Sequence, residues 1–240
     1  MPSPARLPLV DALRGFAIAQ MIVYHFIYDL TFFGWYGTVM ARDPVWIAWR
    51  TAITTQFLLL VGVGLVLRAQ WRPSIGDFAW RWVQVAAAAA LVSAGSALVV
   101  GPLFVRFGIL HFVAVALLLA WPLARLGMWN LVVAAGVLLL WAGYSDPRFN
   151  SELGSIVGLG IGRPRSIDYV PIFPWFAAVA AGLALGALWQ KRGFALAGPA
   201  AHLNERPPRL LVALGRWPLT AYLLHQPLLL GALWLFKTLA

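Results

Sequence analysis

Long apolar runs separated by short polar spacers fill the sequence, and they fix the solvent of this chain before its fold. A helix that crosses a bilayer needs about 20 mostly apolar residues. Windows of that kind lie near residues 9–31, 46–68, 78–100, 104–125, 128–144, 172–190 and 211–236. Gly101-Pro102 divides the third from the fourth, and Arg125-Leu126-Gly127 divides the fourth from the short fifth. Of the 240 residues 62% are hydrophobic and 11% charged, with 13 Trp and a mean hydropathy of +0.81. A water-soluble domain of this size has too little interior to hide so much apolar surface. The expected class is all-α: a polytopic membrane bundle of about seven transmembrane helices, forming a single domain over 1–240. The first run carries Arg14, His25 and Asp29 and lacks a small-residue cleavage site, so it is expected to stay as a helix. Cysteine is absent, which excludes a thiol nucleophile, a disulfide framework and Cys-ligated metal.

Lys plus Arg outnumber Asp plus Glu by 18 to 8, but the excess sits in the spacers between apolar runs. Charges so placed face anionic lipid heads and the cytoplasm, so the expected partner is the bilayer and not a nucleic acid. With the N-terminus inside, Arg68, Arg72 and Arg81, then Arg125, Lys191, Arg192, Arg206 and Arg209 fall on the cytoplasmic side. That favours N-in, C-out insertion, as in a bacterial cytoplasmic membrane. The stretch 145–168 is then the longest exterior connection. Its Gly154, Gly158, Gly160 and Gly162 lack the strand and the Lys-Ser/Thr helix start of a phosphate loop, so it reads as a flexible loop.

An ionisable group at the centre of a spanning helix costs on the order of 2.5 to 3.5 kcal/mol, so each one needs a partner or a purpose. Arg14 and His25 are eleven residues apart, which puts them about 20° apart around a helix and ~16.5 Å apart along it. Asp11, Arg14, Ile18, Ile22, His25 and Asp29 therefore line one side of the first helix, and Gly15 leaves room there for another backbone or a ligand. Asp29, one turn after His25, is placed to hold the imidazole in one tautomer, as a general base requires. His111 and His225 also fall inside predicted spans, with Arg106 at the exterior start of the fourth. No two histidines lie within one helical turn, so no metal site is expected.

The opening from Arg6 through Asp11, Arg14, Gly15 and Met21 to His25 resembles the first helix of transmembrane acyltransferases. There an Asp-x-x-Arg-Gly start is followed by a His eleven residues after the Arg. The chain is similar to the bacterial relatives of heparan-alpha-glucosaminide N-acetyltransferase. The likeness continues through Tyr28-Asp29-Leu30, Phe57 to Gly62, Phe107 to His111, Asp168 to Trp175, and Leu214-Gly215 through Tyr222 to His225, Gln226 and Pro227. What the resemblance implies is transfer of an acetyl or other short acyl group from acyl-CoA to a hydroxyl or amine of a sugar, on an envelope glycan or glycolipid. Arg14 and His25 would be the acyltransferase pair, assisted by Asp29. Arg14, Arg68, Arg72 and Arg81 would meet the CoA phosphates, with acetyl-CoA a co-substrate and no permanently bound cofactor. Candidate substrate contacts are Asp11, Arg106, His111, Asp168, Trp175, His225 and Gln226.

A proton-coupled transporter or flippase is the alternative, with His25, Asp29, His111 and His225 as a relay. Against it, the sequence has no visible inverted repeat and no matched pair of broken helices.

Overall fold

The computed structural model describes residues 7–70, 74–193 and 195–239, and Arg72 lies outside the described residues. Ten α-helices and short 3₁₀ turns make up the described chain, with an isolated bridge between Phe107 and Tyr169. Six stretches are long and apolar enough to cross a membrane: Pro8–Phe32, Pro44–Ala69, Ile75–Leu103, Ile109–Gly143, Ile172–Lys191 and Pro218–Leu239. Many large apolar side chains on them point outward, among them Leu98 at 89% exposure and Trp129 at 72%. Such a surface suits lipid and not water. The contacts divide the chain into two compact units, Met1–Phe57 with Leu196–Ala240, and Leu58–Ala195.

The first unit is built around α1 (Pro8–Phe32). Pro8 sits where its missing N–H costs nothing, and Asp11 adds a favourable charge in the first turn. The partners of α1 are α8 (Pro199–Glu205), α9 (Arg209–Arg216) and α10 (Pro218–Leu239). The α1–α9 crossing is close because each helix offers a glycine to the other's backbone. A Cβ on Gly15 would overlap the Leu211 carbonyl, and one on Gly215 would overlap the Asp11 carbonyl. The start of α2 (Pro44–Ala69) is tied to α1 by amides. Trp49 Nε1 donates to Gln20 Oε1 (3.2 Å), Gln20 Nε2 to Gln56 Oε1 (3.0 Å), and Gln56 Nε2 to the Leu13 carbonyl (3.2 Å). In a medium without water, such interhelical bonds replace the hydration the amides would otherwise lose.

In the second unit the rest of α2 crosses α7 (Ile172–Lys191) through small residues. Gly62 faces the backbone of Val179 and Gly182, Gly182 faces Leu59, and Gly186 faces Val63 and Val66. Ser74 opens α3 (Ile75–Val100) with a capping box to Asp77, and α3 packs on α4 (Ile109–Leu123), where Trp82 Nε1 donates to the Ala114 carbonyl (3.0 Å). Within the alanine run 86–90, Ala88 and Ala89 are buried.

The apolar stretch Ile109–Gly143 is not one rod. Gly127, at φ 55° and ψ −125°, breaks it into α4 and α5 (Asn130–Gly143), and both Leu123 and Gly127 carbonyls accept from the buried Asn130 amide at 2.9 Å. The Arg106 guanidinium, just before α4, pairs with the Glu152 carboxylate, just after α5. Arg106 and Glu152 meet, so the chain just before α4 and the connection after α5 lie on one side, and the two arms turned at Gly127 both pack on α7 and not on each other. At 15 and 14 residues they rise about 22 and 21 Å, short of the ~30 Å hydrocarbon thickness. The fourth and fifth sequence windows are these two arms.

The connection from 145 to 168 departs from its expected flexibility. Asp146 N donates to the Leu159 carbonyl (2.9 Å), Gly162 N to Asn150 Oδ1 (3.0 Å), Ile167 N to the Leu103 carbonyl (2.9 Å) and Tyr169 Oη to the Ser155 carbonyl (2.6 Å). Leu159 and Ser155 are buried. Short polar side chains cap its turns, which lets a glycine-rich segment hold a defined path. At its edge the Arg148 guanidinium holds the Asp146 carboxyl well below the usual carboxylate range.

Candidate functional site

In the first unit, α1 and α10 bring four polar side chains together at membrane depth. The rings of His25 and His225 stand 4.9 Å apart at 63°. One turn beyond His25, Asp29 Oδ1 accepts from Gln226 Nε2 at 2.8 Å, a contact between residues 197 apart in sequence. Asp29 is 2% exposed and His225 is 8% exposed. Among the described residues the second Asp29 oxygen, Oδ2, has no hydrogen-bond partner, and neither has Gln226 Oε1 or His225 Nε2, although all three are buried. Buried polar atoms without partners are rare, and three of them on the α1–α10 pair make that pair the candidate site.

The His25–Asp29 hydrogen bond expected from the i, i+4 spacing is not formed. The carboxylate turns across to Gln226, because the α1–α10 contact offers an amide N–H, a better-placed donor than an imidazole on its own helix. His25 instead contacts the rings of Tyr24, at 6.1 Å, and His225. His225 is the more constrained imidazole: its Nδ1 lies 2.5 Å from the Tyr222 carbonyl. A carbonyl only accepts, so Nδ1 carries the proton and Nε2 presents a lone pair.

Toward the N-terminal end of α1, Arg14 Nη1 donates to Asp11 Oδ1 at 3.1 Å, so the expected Asp11–Arg14 pair forms. Asp11 is buried and Arg14 remains about one quarter exposed. Gly15 serves the approach of a backbone, that of α9, and not of a ligand.

The second unit holds the other candidates. Arg68 Nη2 donates to the Asp77 carbonyl at 3.4 Å, and Arg81 stands one turn after Asp77 on α3, so these two cations share the α2–α3 end. Arg106 is committed to Glu152 and lies over the Phe104 ring at 4.7 Å. With Asn150, Ser151, Ser155, Pro164 and Arg165 this pair lines a polar cavity of about 230 Å³. Ser93 Oγ donates to the Val105 carbonyl (2.6 Å), so the 3.1 Å contact between that oxygen and His111 Nε2 makes Nε2 the donor; the buried Nδ1 of His111 has no partner among the described residues. Asp168 serves the fold directly, because its Oδ2 accepts from Ile109 N at 3.1 Å and so caps the first turn of α4. Trp175 is half-buried in the first turn of α7. Ser93, Gln20 and Gln56 were not among the candidates, although a lone polar residue inside an apolar helix is itself the signal that an interhelical bond exists.

A family model described as heparan-alpha-glucosaminide N-acetyltransferase, catalytic, matches residues 6–227, almost the whole chain. It spans both the α1 stripe and its α10 partner. The chain belongs to this family. Family and apolar helices together make it an integral membrane protein with the fold of a membrane acetyltransferase. Comparison with curated proteins and with solved structures gave no match. In family terms, the match begins at the helix that carries Arg14 and His25 and ends at Pro227, two residues beyond His225.

Proposed function

We propose that the protein moves an acetyl or other short acyl group from acyl-CoA to a sugar hydroxyl or amine of an envelope glycan or glycolipid, in the cytoplasmic membrane with its N-terminus inside. The observation that carries this reading is the His25–His225 ring contact beside the Asp29–Gln226 pair, on the two helices at either end of the family match. Acyl transfer needs a base for the attacking group, and imidazole is the side chain most often used for that step. The acceptor oxygen or nitrogen adds to the thioester carbonyl and gives its proton to this imidazole pair; the C–S bond breaks, and the thiolate takes a proton to leave as free CoA. An acyl-imidazole intermediate would use the same pair. Arg14, together with Arg68, Arg72 and Arg81, supplies guanidinium groups of the kind that hold phosphates. Asp11, Arg106, His111 and Trp175 are proposed contacts for substrate.

The experiment is incubation of purified protein with radiolabelled acetyl-CoA, alongside mass spectrometry of lipids and envelope glycans from a deletion strain. The expected result is slow CoA release in the wild type, its loss in a His25→Ala/His225→Ala double variant, and an acyl group missing from one glycan or glycolipid of the deletion strain. A protein that neither binds nor cleaves acetyl-CoA, in cells whose glycans are unchanged, would instead fit the proton-coupled transporter.

A further inference from the structure

Within the acyl-transfer reading, we infer that His225 is the proton acceptor and that the buried atoms around it form the subsite for the attacking hydroxyl or amine. The tautomer argument separates the two histidines. The Tyr222 carbonyl fixes the His225 proton on Nδ1 and leaves a buried, unpartnered lone pair on Nε2. A base needs that combination: one nitrogen anchored, the other free to receive. His25 makes ring contacts to Tyr24 and His225 and has no anchoring hydrogen bond among the described residues, so its ring nitrogens are not assigned to separate roles.

The second observation is the kind of atom left over. Gln226 Oε1 and His225 Nε2 are hydrogen-bond acceptors, and Asp29 Oδ2 is one when the carboxyl is ionised. The orientation of Gln226 is set by its neighbour, since Asp29 Oδ1 can only be met by the amide nitrogen, which turns Oε1 away. Three buried acceptors call for a ligand rich in O–H or N–H donors. A thioester carbonyl and a phosphate offer acceptors themselves and would be repelled here. The attacking alcohol or amine of a polyol or amino sugar has the matching polarity. The two ends of the α1 stripe thus divide the reactants: the donor's anionic part suits Arg14, and the acceptor's N–H or O–H suits the His225 end about 16.5 Å along the helix.

In the step itself, the acceptor O–H or N–H proton passes to His225 Nε2 as the C–O or C–N bond forms. When the C–S bond breaks, its electron pair stays on sulfur, and the proton on Nε2 passes to the thiolate to give free CoA. Imidazole is regenerated and no oxidant or reductant is consumed.

His225→Asn keeps a side-chain N–H where Nδ1 stood and removes the base, whereas His225→Gln keeps an atom near Nε2 and removes the anchor. Both should bind acetyl-CoA like the wild type, with kcat for transfer down by about 10² or more. His25→Asn should lose at least tenfold less. Independently of turnover, ¹⁵N-histidine NMR of the wild type should show one ring with a protonated Nδ1 and an unprotonated Nε2, and that signal should vanish in His225→Asn. A larger loss in His25→Asn than in His225→Asn, wild-type turnover in His225→Asn, or an Nε2-protonated His225 would each overturn the assignment while leaving acyl transfer intact. Absence of acetyl-CoA turnover in the wild type would remove the acyl-transfer reading and this role together.

Discussion

Gly15→Ala tests whether α1 and α9 approach as closely as described, and its sign can be worked from the geometry. A methyl at Gly15 would overlap the Leu211 carbonyl oxygen, with the carbonyl carbon at 2.6 Å and the Cα at 2.9 Å, where ordinary contact starts near 3.4 Å. The obstacle is backbone, so the helices must part by roughly an ångström, and overpacking of this kind costs about 1 to 3 kcal/mol. The reciprocal change, Gly215→Ala, meets the Asp11 carbonyl carbon at 2.6 Å and should cost a similar amount. Both methyls act on one separation, so the double variant should cost less than the sum of the singles by at least ~0.5 kcal/mol. Gly95, Gly136 and Gly231 lie in helices with no described atom within 4 Å of a Cβ. Alanine there should stabilise by about 0.4 to 1 kcal/mol through the unfolded chain. Thermal unfolding in detergent, read by intrinsic Trp fluorescence, measures both groups. A Gly15→Ala protein that melts at or above the wild type, or additive losses in the double variant, would refute the close crossing.

Gln226→Leu removes the N–H that satisfies Asp29 and should destabilise by about 1 to 3 kcal/mol, while Asp29→Leu/Gln226→Leu together should recover part of that loss in the same melt. Asp168→Ala should cost about 1 kcal/mol as a lost cap, whereas Asp168→Asn, which still offers an oxygen to Ile109 N, should keep stability and acyl transfer; loss of transfer in Asp168→Asn would give that carboxylate a chemical role. Single cysteines at the exposed Ile75 and Leu153, in a chain without native cysteine, should label differently with an impermeant maleimide in intact cells. Leu153→Cys should react and Ile75→Cys should not, since α3 crosses once and α4–α5 returns to the side it left; equal labelling would mean that Ile109–Gly143 crosses once.

The spanning windows were legible because the demand of lipid for about 20 apolar residues is coarse, and boundaries such as the Arg125–Gly127 turn were legible because glycine and charge interrupt such runs. The Asp11–Arg14 pair was legible too, being local in one helix. Harder to see was anything that depends on which helices meet. The i, i+4 rule offered His25 as the partner of Asp29, but a residue 197 positions away won, and helix periodicity carries no information about that contact. Asp168 entered as a substrate contact through the family resemblance, and its bond to the backbone N–H of Ile109, 59 residues earlier, is a capping role that no local pattern announced. The order of 145–168 was hidden because it comes from hydrogen bonds to Leu103, Phe104 and its own turns, while its glycines alone suggest freedom.

The N-terminal and C-terminal motifs make physical sense only as one device. Asp11, Arg14 and Gly15 begin a helix whose glycine admits α9, and the reciprocal Gly215 lies against the carbonyl of Asp11, the residue that orients Arg14. Further along, the same helix carries His25 and Asp29 to His225 and Gln226 on α10. Helices α9 and α10 follow each other in the chain, so the C-terminal segment grips α1 at its cation end and at its imidazole end. The spacing between those ends is then set by the rise of a single helix and not by flexible loops, as positioning a reacting group to within a fraction of an ångström requires. A chain needing only a membrane anchor has no reason to pin one helix twice with its buried polar residues, whereas the proposed acyl transfer, which must hold donor and acceptor at fixed separation, does.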